Sequence, residues 1–511
     1  MKLAADIVLV KGRVITWCEE EPEAEALALA RGRILAVGKG PEAMAYAGPS
    51  TRVVDLNGRV VLPGFNDCHA HLASLGSDLS SLDLSDATSL EDLKAKVRER
   101  ARSAAPGQWI TGRNWDESKW PVRRYPDRRD LDQAAPDRPV ALTRIDGHML
   151  VANSQALRRL SLEGLEGVET DAEGNPTGVL REESCQAVWE VTRPGMMQAV
   201  GGLRSMIAAA HRLGITSIHD TVDHREIAAY LRLHRAGGLN LRVNLMPRDK
   251  ELPSLVAGGI SSGLGGEVLR LGPIKAFLDG SLGARTAALS EEYEDEDGNR
   301  GRLMLSKEEL TSLVGEASEG GFQLALHAIG ERAIDAALQS LAYGDSSTTR
   351  HRLEHFELPD EGHLKMARSL GIVASMQPNF VGQWSMPGGL YEQRLGKARL
   401  GRNNPFRLVL DEGIPLAFGS DHMPFSPMYG IHWAVNAPFD DQRLTVEEAL
   451  RCYTQTPAYA SFEENVKGTI EPGMLADLVV LEKDPFETPD RIKDIEVHMT
   501  IFDGKIVYKM S

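Results

Sequence analysis

Eight short apolar runs recur through the middle of the chain: VVLPGFNDCHAH, GITSIHD, LRVNLMP, GPIKAFLDG, FQLALHAIG, HRLEHFEL, GIVASMQP and IPLAFGSDH. Most are separated by helix-like stretches such as ERAIDAALQSLAYG and EGHLKMARSL. Strand-length runs that alternate with helix-length ones predict an α/β fold with a parallel sheet, and eight of them fit a (β/α)8 TIM barrel. Repetition alone leaves a doubly wound open sheet as the alternative. No G-x-G-x-x-G opens a helix after any of these strands, so nothing here marks a dinucleotide site.

The flanks read differently. Residues 1–62 and 468–511 are short β-branched alternations broken by glycine, as in DIVLVKGRVIT and HMTIFDGKIVY. Neither end is long enough to close a sandwich, so the economical reading pairs them into one small β-sandwich domain built from both termini. Two independent caps are the alternative. The barrel then occupies 63–467. Between His71 and Gly214 the first crossover is far too long for a structureless loop. Residues of about 72–205 are therefore expected to form an inserted subdomain after the first barrel strand, over the mouth where barrel active sites lie.

Charge narrows the function classes. Lys and Arg number 57 against 73 Asp and Glu, a net −16, so there is no basic excess with which to bind nucleic acid. Four scattered cysteines without a C-x-x-C pair give neither a disulfide framework nor a thiolate metal site. The first residues, MKLAADIVLVKGRVITW, do not read as a signal peptide, and no apolar run reaches the ~18 residues of a membrane span. A cytoplasmic protein is expected.

Several residues carry chemistry by type and position. His69 and His71 form an H-x-H at the end of the first run. Residues two apart on a strand share a side, so both imidazoles address one point, as a metal requires. His327, His355 and Asp421 also lie near the ends of proposed strands, the barrel's active face. Alternation in GPIKAFLDG puts Lys275, Phe277 and Asp279 on one side, directing Lys275 into the barrel. A buried ammonium needs a partner. Either Asp279 supplies it, or Lys275 is carbamylated and becomes an anionic oxygen ligand. Arg285, just past the fourth strand, is a candidate for gripping substrate or closing its own loop by an ion pair. Trp115, Trp120 and His148 lie in the insertion and either line the pocket or, for the tryptophans, form its core. His219 ends the second run as pocket wall or support, and His422 and His432 follow Asp421 on the substrate side. Cys68 faces away from the metal as core, and the acidic SEEYEDEDG is a solvated loop.

The segments LPGFNDCHAH, IKAFLDGSLGARTAAL, LALHAIGERAID, HRLEHFE and GSDHMP, with the C-terminal TPAYASFEENVKGTIEPGMLADLVVLEKDPF, resemble the amidohydrolase superfamily. More narrowly they resemble amidohydrolase family 3, the branch that includes N-substituted formamide deformylases. The likeness spans nearly the whole chain; Glu331 stands where Asp is more usual. It implies a metal-bearing barrel beside a small β-sandwich. By position, His69, His71 and Asp421 would hold one divalent metal, His327 and His355 a second, and carbamylated Lys275 would bridge them. The donor set suits zinc, though manganese, iron or cobalt fit as well. The implied activity is hydrolysis of a C–N bond in a small amide-type substrate by metal-activated water, with Asp421 as proton shuttle. Trp115, His148, His219, Asp279 and Arg285 are the substrate-side candidates. The competing readings are deamination of an aminated heterocycle and a metal-free scaffold or binding protein. No nucleic-acid or membrane partner is expected, and the likeness suggests a homodimer.

Overall fold

A computed structural model describes residues 3–77, 81–105, 107–192, 195–343 and 349–510. Two parallel sheets form its centre. One joins Phe65–Ala70, Ile215–Val222, Arg242–Pro247 and Leu269–Leu271; the other joins Ile274–Phe277, Leu324–Ala328, Arg352–His355, Val373–Met376 and Leu416–Phe418. The sheets touch at both ends. Arg248 bridges Lys275 in parallel register, and the Asp421 amide donates to the His69 carbonyl at 3.0 Å. The strand Leu269–Leu271 and the fourth run's strand Ile274–Phe277 are separated at Gly272–Pro273, because proline cannot donate to a ladder.

Strand alternation decides what faces where. In Leu324–Ala328, the side chains of Leu324, Leu326 and Ala328 enter the main hydrophobic core, and His327 turns the other way. The following helix, Glu331–Leu341, buries Ala333, Ile334, Ala337, Leu338 and Leu341, the i, i+3, i+4 stripe that seats a helix on a sheet. Glu361–Ser369 starts at Asp360, whose carboxylate accepts from the His363 amide.

The two ends of the chain meet. Val60–Pro63 pairs antiparallel with Leu478–Leu481 inside a six-stranded sheet. A four-stranded sheet of Arg33–Gly38, Ala26–Ala30, Ile7–Val10 and Arg52–Asp55 shares its core with that sheet through Leu9, Leu27, Leu29, Val61, Leu478, Val480 and Ile501.

The long first crossover carries a six-stranded sheet of its own between Leu82 and Arg181, over a separate apolar core. A helix, Met196–Arg212, runs straight through the boundary expected at 205 and leads into the second parallel strand. The insertion's sheet is thus shorter than the 72–205 interval. Among the described residues no helix is long and apolar enough to cross a membrane.

Candidate functional site

The histidines converge where the parallel strands end. His69 is the penultimate residue of Phe65–Ala70, His355 closes Arg352–His355, and Asp421 lies just past Leu416–Phe418. His69, His355 and Asp421 offer ligand atoms that all lie within 4.8 Å of one another, and all three are buried. His71 Nε2 lies 3.1 Å from Asp421 Oδ1, and His69 Nε2 lies 3.8 Å from the same oxygen. The His327 ring sits 4.3 Å from that of His355, centroid to centroid. Two of these residues hold costly backbone: φ is 72° at His355 and 47° at Asp421, the left-handed region that non-glycine residues avoid. Gly419 makes the approach possible, since a Cβ there would stand 2.4 Å from the His69 amide nitrogen.

The donor set fits a divalent metal. Burial, with neighbouring positive groups, holds His327 and His355 well below the usual imidazole range, in the neutral form that binds metal. Burial pushes the Asp421 carboxyl up, but the His71 hydrogen bond and the charges of His69, His71 and Lys275 outweigh it and keep it ionised. Lys275 Nζ and the Nδ1 atoms of His327 and His355 are buried without a hydrogen-bond partner. Burial lowers Lys275 to about 8, with Glu354 and Asp421 pulling the other way.

Beneath the cluster lies a layer the sequence reading did not single out. His69 Nδ1 sits 2.6 Å from Glu354 Oε2, and the other Glu354 oxygen accepts from Arg352 Nε at 2.7 Å. The signal was available: two charged residues in parity inside a strand, HRLEH, have to find partners in the interior. Asp67 ties the first strand to the last, accepting from the Ser420 amide at 2.9 Å and the Ser420 hydroxyl at 2.5 Å. Burial pushes its carboxyl up to about 7.

A cavity opens over the cluster. One wall is polar, with Arg144, Asp146 and His148 from the insertion; another is apolar, with Phe380, Trp384 and Tyr391. His148 Nδ1 lies 2.9 Å from Glu182, whose second oxygen accepts from the Thr286 hydroxyl at 2.6 Å. Burial lowers the His148 pKa, but Glu182 and then Asp146 raise it to about 9.

Four expected substrate contacts are placed elsewhere. Asp279 neither pairs with Lys275 nor lines the cavity: its carboxylate accepts from the amides of Ala288, Ile329 and Gly330 at 2.9–3.1 Å. Arg285 closes its loop, donating to both oxygens of Asp295 and to the Tyr125 hydroxyl. Trp115 is fully buried in the insertion's core and donates to the Leu142 carbonyl at 2.9 Å. Trp120 shares that core. His219 lies below the rim, because its strand continues to Val222; its Nδ1 accepts from Arg352 at 2.6 Å. His422 accepts from the His71 amide at 2.6 Å, so it braces a candidate ligand. His432 lies in the helix Pro427–Val435 and is not among the cavity-lining residues. Cys68 is core, packed with Val373 and Ala417.

The sequence pattern of the amidohydrolase family matches residues 52–508. The YtcJ protein of Bacillus subtilis is 31% identical over 98% of this chain and 99% of its own length. The N-substituted formamide deformylase of Arthrobacter pascens is 29% identical, over 99% of each chain. Among solved structures, an uncharacterised metal-dependent hydrolase from Pyrococcus furiosus superposes with a TM-score of 0.76 at 29% identity, covering 94% of this chain and 99% of that one.

Proposed function

The chain belongs to the amidohydrolase family, and from that premise we propose that it is a metal-dependent hydrolase of C–N bonds in small amide-type compounds, N-substituted formamides or cyclic amides among them. We read the two parallel sheets as one (β/α)8 barrel over 63–467, and the sheets from residues 1–62 and 468–511 as a β-sandwich beside it. The observation that carries the functional reading is the buried group of His69, His355 and Asp421, with donor atoms within 4.8 Å of one another.

In this reading His69, His71, His327, His355 and Asp421 hold the metal, with zinc the leading candidate. Such an ion supplies Lewis acidity, which makes water a competent nucleophile near neutral pH. Lys275, if its neutral amine added carbon dioxide and lost a proton, would offer anionic carbamate oxygens to the metal; its buried Nζ, which has no hydrogen-bond partner, supports this, since a free ammonium there would repel a cation. Asp421 is ionised and its Oδ1 faces the histidines. It takes the proton of the attacking water and returns it to the leaving nitrogen. His148, held by Glu182, presents its ring to the substrate from the insertion. The apolar wall of Phe380, Trp384 and Tyr391 excludes water from the reacting group and suits a neutral substituent. The formamide activity of the Arthrobacter relative supports the substrate class.

The test is metal analysis of zinc-replete protein together with a screen of formamides, N-acyl amino acids, cyclic amides and aminated heterocycles. Stoichiometric metal and chelator-sensitive amide hydrolysis are expected. Ammonia release from ring amines without amide cleavage would make the protein a deaminase. A chain that holds no metal would be a scaffold.

A further inference from the structure

Arg352 and Glu354 are both fully buried, two residues apart on the strand that ends at His355. Their side chains point the same way, below the cluster, and nearly every polar atom they carry is used. Arg352 Nε donates to Glu354 Oε1 at 2.7 Å. Its Nη1 lies 2.6 Å from His219 Nδ1. Its Nη2 donates to the Cys68 carbonyl at 2.7 Å and the Ser375 hydroxyl at 3.1 Å. The second Glu354 oxygen, Oε2, lies 2.6 Å from His69 Nδ1.

We propose that Arg352 and Glu354 are positioning residues that fix the tautomer and aim of His69; the inference rests on the reading of His69 as a metal ligand. A carboxylate only accepts, so the His69 Nδ1 beside it carries the proton, and the lone pair is left on Nε2. That nitrogen faces Asp421, 3.8 Å away. Arg352 makes the arrangement rigid from two sides. It holds the carboxylate that holds the ring, and it grips the main-chain carbonyl of Cys68, the residue before His69. By donating to His219 Nδ1 it also fixes that ring in the Nε2–H form.

A purely structural role is the competing account, because a buried ion pair is often replaceable without loss of stability. The two accounts separate in metal affinity. Glutamine in place of Glu354 keeps the shape but has one acceptor oxygen for two donors, so either His69 Nδ1–H or Arg352 Nε–H faces an N–H. Lysine in place of Arg352 cannot reach the carboxylate, His219 and the Cys68 carbonyl together.

The experiment titrates Zn²⁺ into metal-free full-length protein against a competing chelator, for wild type, Glu354→Gln and Arg352→Lys. The unfolding of each metal-free protein is followed in parallel. Zinc affinity is expected to fall about 10- to 100-fold in both variants, by more than any change in metal-free stability accounts for. Equal affinity in Glu354→Gln and wild type overturns the proposal. Histidine-selective ¹⁵N spectra of the wild type, with His69 assigned by its loss in His69→Asn, give a second reading that needs no altered pair. The Nδ1–H tautomer is expected for His69, and the Nε2–H tautomer overturns the proposal even if the variants do not fold. A wild type that fails to bind zinc overturns the metal reading instead, and the tautomer result still decides the positioning claim.

Discussion

Replacing Trp115 with alanine should damage the insertion rather than retune the substrate. The side chain is wholly buried, among Leu84, Leu142, Trp120 and Tyr125. A tryptophan buries roughly 200 Å², which at about 25 cal/mol per Å² is on the order of 5 kcal/mol as an upper bound. Measured Trp→Ala losses in cores run about 3–5 kcal/mol, and here the bond Nε1 donates to the Leu142 carbonyl is lost as well. A chain of this size does not unfold as one two-state unit, so a single melting temperature would blur the effect. Hydrogen–deuterium exchange localises it. At roughly 1.4 kcal/mol per decade, amides of Ile110–Trp115 and Val140–Arg144 should exchange about 10²- to 10³-fold faster or more. Those of Leu324–Ala328, in a separate core, should not change. Trp115→Phe should recover most of the loss. The reasoning is refuted if exchange in the insertion is unaltered while the ranking of substrates by kcat/KM shifts, because Trp115 would then be touching substrate.

Three further outcomes are expected. Asp421→Asn should cut kcat by about 10² or more in folded, metal-replete protein, since an amide cannot carry the proton; wild-type-like turnover refutes that role. Lys275→Met should lower bound metal per chain while leaving the metal-free protein as stable as wild type or more so, because it removes a buried Nζ that has no hydrogen-bond partner; a markedly destabilised apo-protein contradicts this. Burial lowers His351 from 6.5 to about 4 in the folded protein. Between those values the unfolded chain binds a proton the folded one excludes, so stability is lost as pH falls from 6.5 to 4, by on the order of 3 kcal/mol at most. Comparing denaturation of wild type and His351→Gln at pH 7.5 and pH 5 checks it, and an equal pH slope in the two proteins argues against it.

The eight runs and the convergence of His69, His71, His327, His355 and Asp421 were legible because both depend on local rules. Strand parity assigns a face, and the strand's end assigns a height. His71 lies outside the mutual 4.8 Å group and His327 reaches it through the His355 ring, details that depend on how strands from distant parts of the chain are staggered. Parity also put Lys275 and Asp279 on one side correctly enough to suggest a pair, but Phe277 marks the last residue of the strand and Asp279 is already in the turn. Its partners, the amides of Ile329 and Gly330, come from about fifty residues away. Arg285 takes the loop-closing ion pair and Trp115 the subdomain core, the alternatives the sequence left open beside substrate contact; Tyr125 and Leu142, which also meet them, are not their neighbours in any local pattern.

What separates a reactive carboxylate from an anchoring one at this rim is the kind of donor that meets it. Asp279 is met by three main-chain amides. Asp67 is met by the amides of His69 and Ser420. Asp220, which directly follows His219, takes the amides of Leu72 and Ala73 and the Tyr230 hydroxyl, and so holds the start of the helix Leu72–Ser77. Each is buried, and burial pushes their carboxyls up to about 7, 7 and 8 in that order, yet each is held by at least two main-chain amides, with the Ser420 hydroxyl added at Asp67. A group fixed by several amides cannot give up its lone pairs to a substrate proton without breaking the turn it organises. Asp421 differs in kind. Its amide pairs with the His69 carbonyl, while its carboxylate faces the imidazoles of His69 and His71 and borders the cavity. Side-chain rings can exchange a proton or share a cation where main-chain amides cannot, so of these four carboxylates Asp421 best suits the proton-carrying role proposed for it.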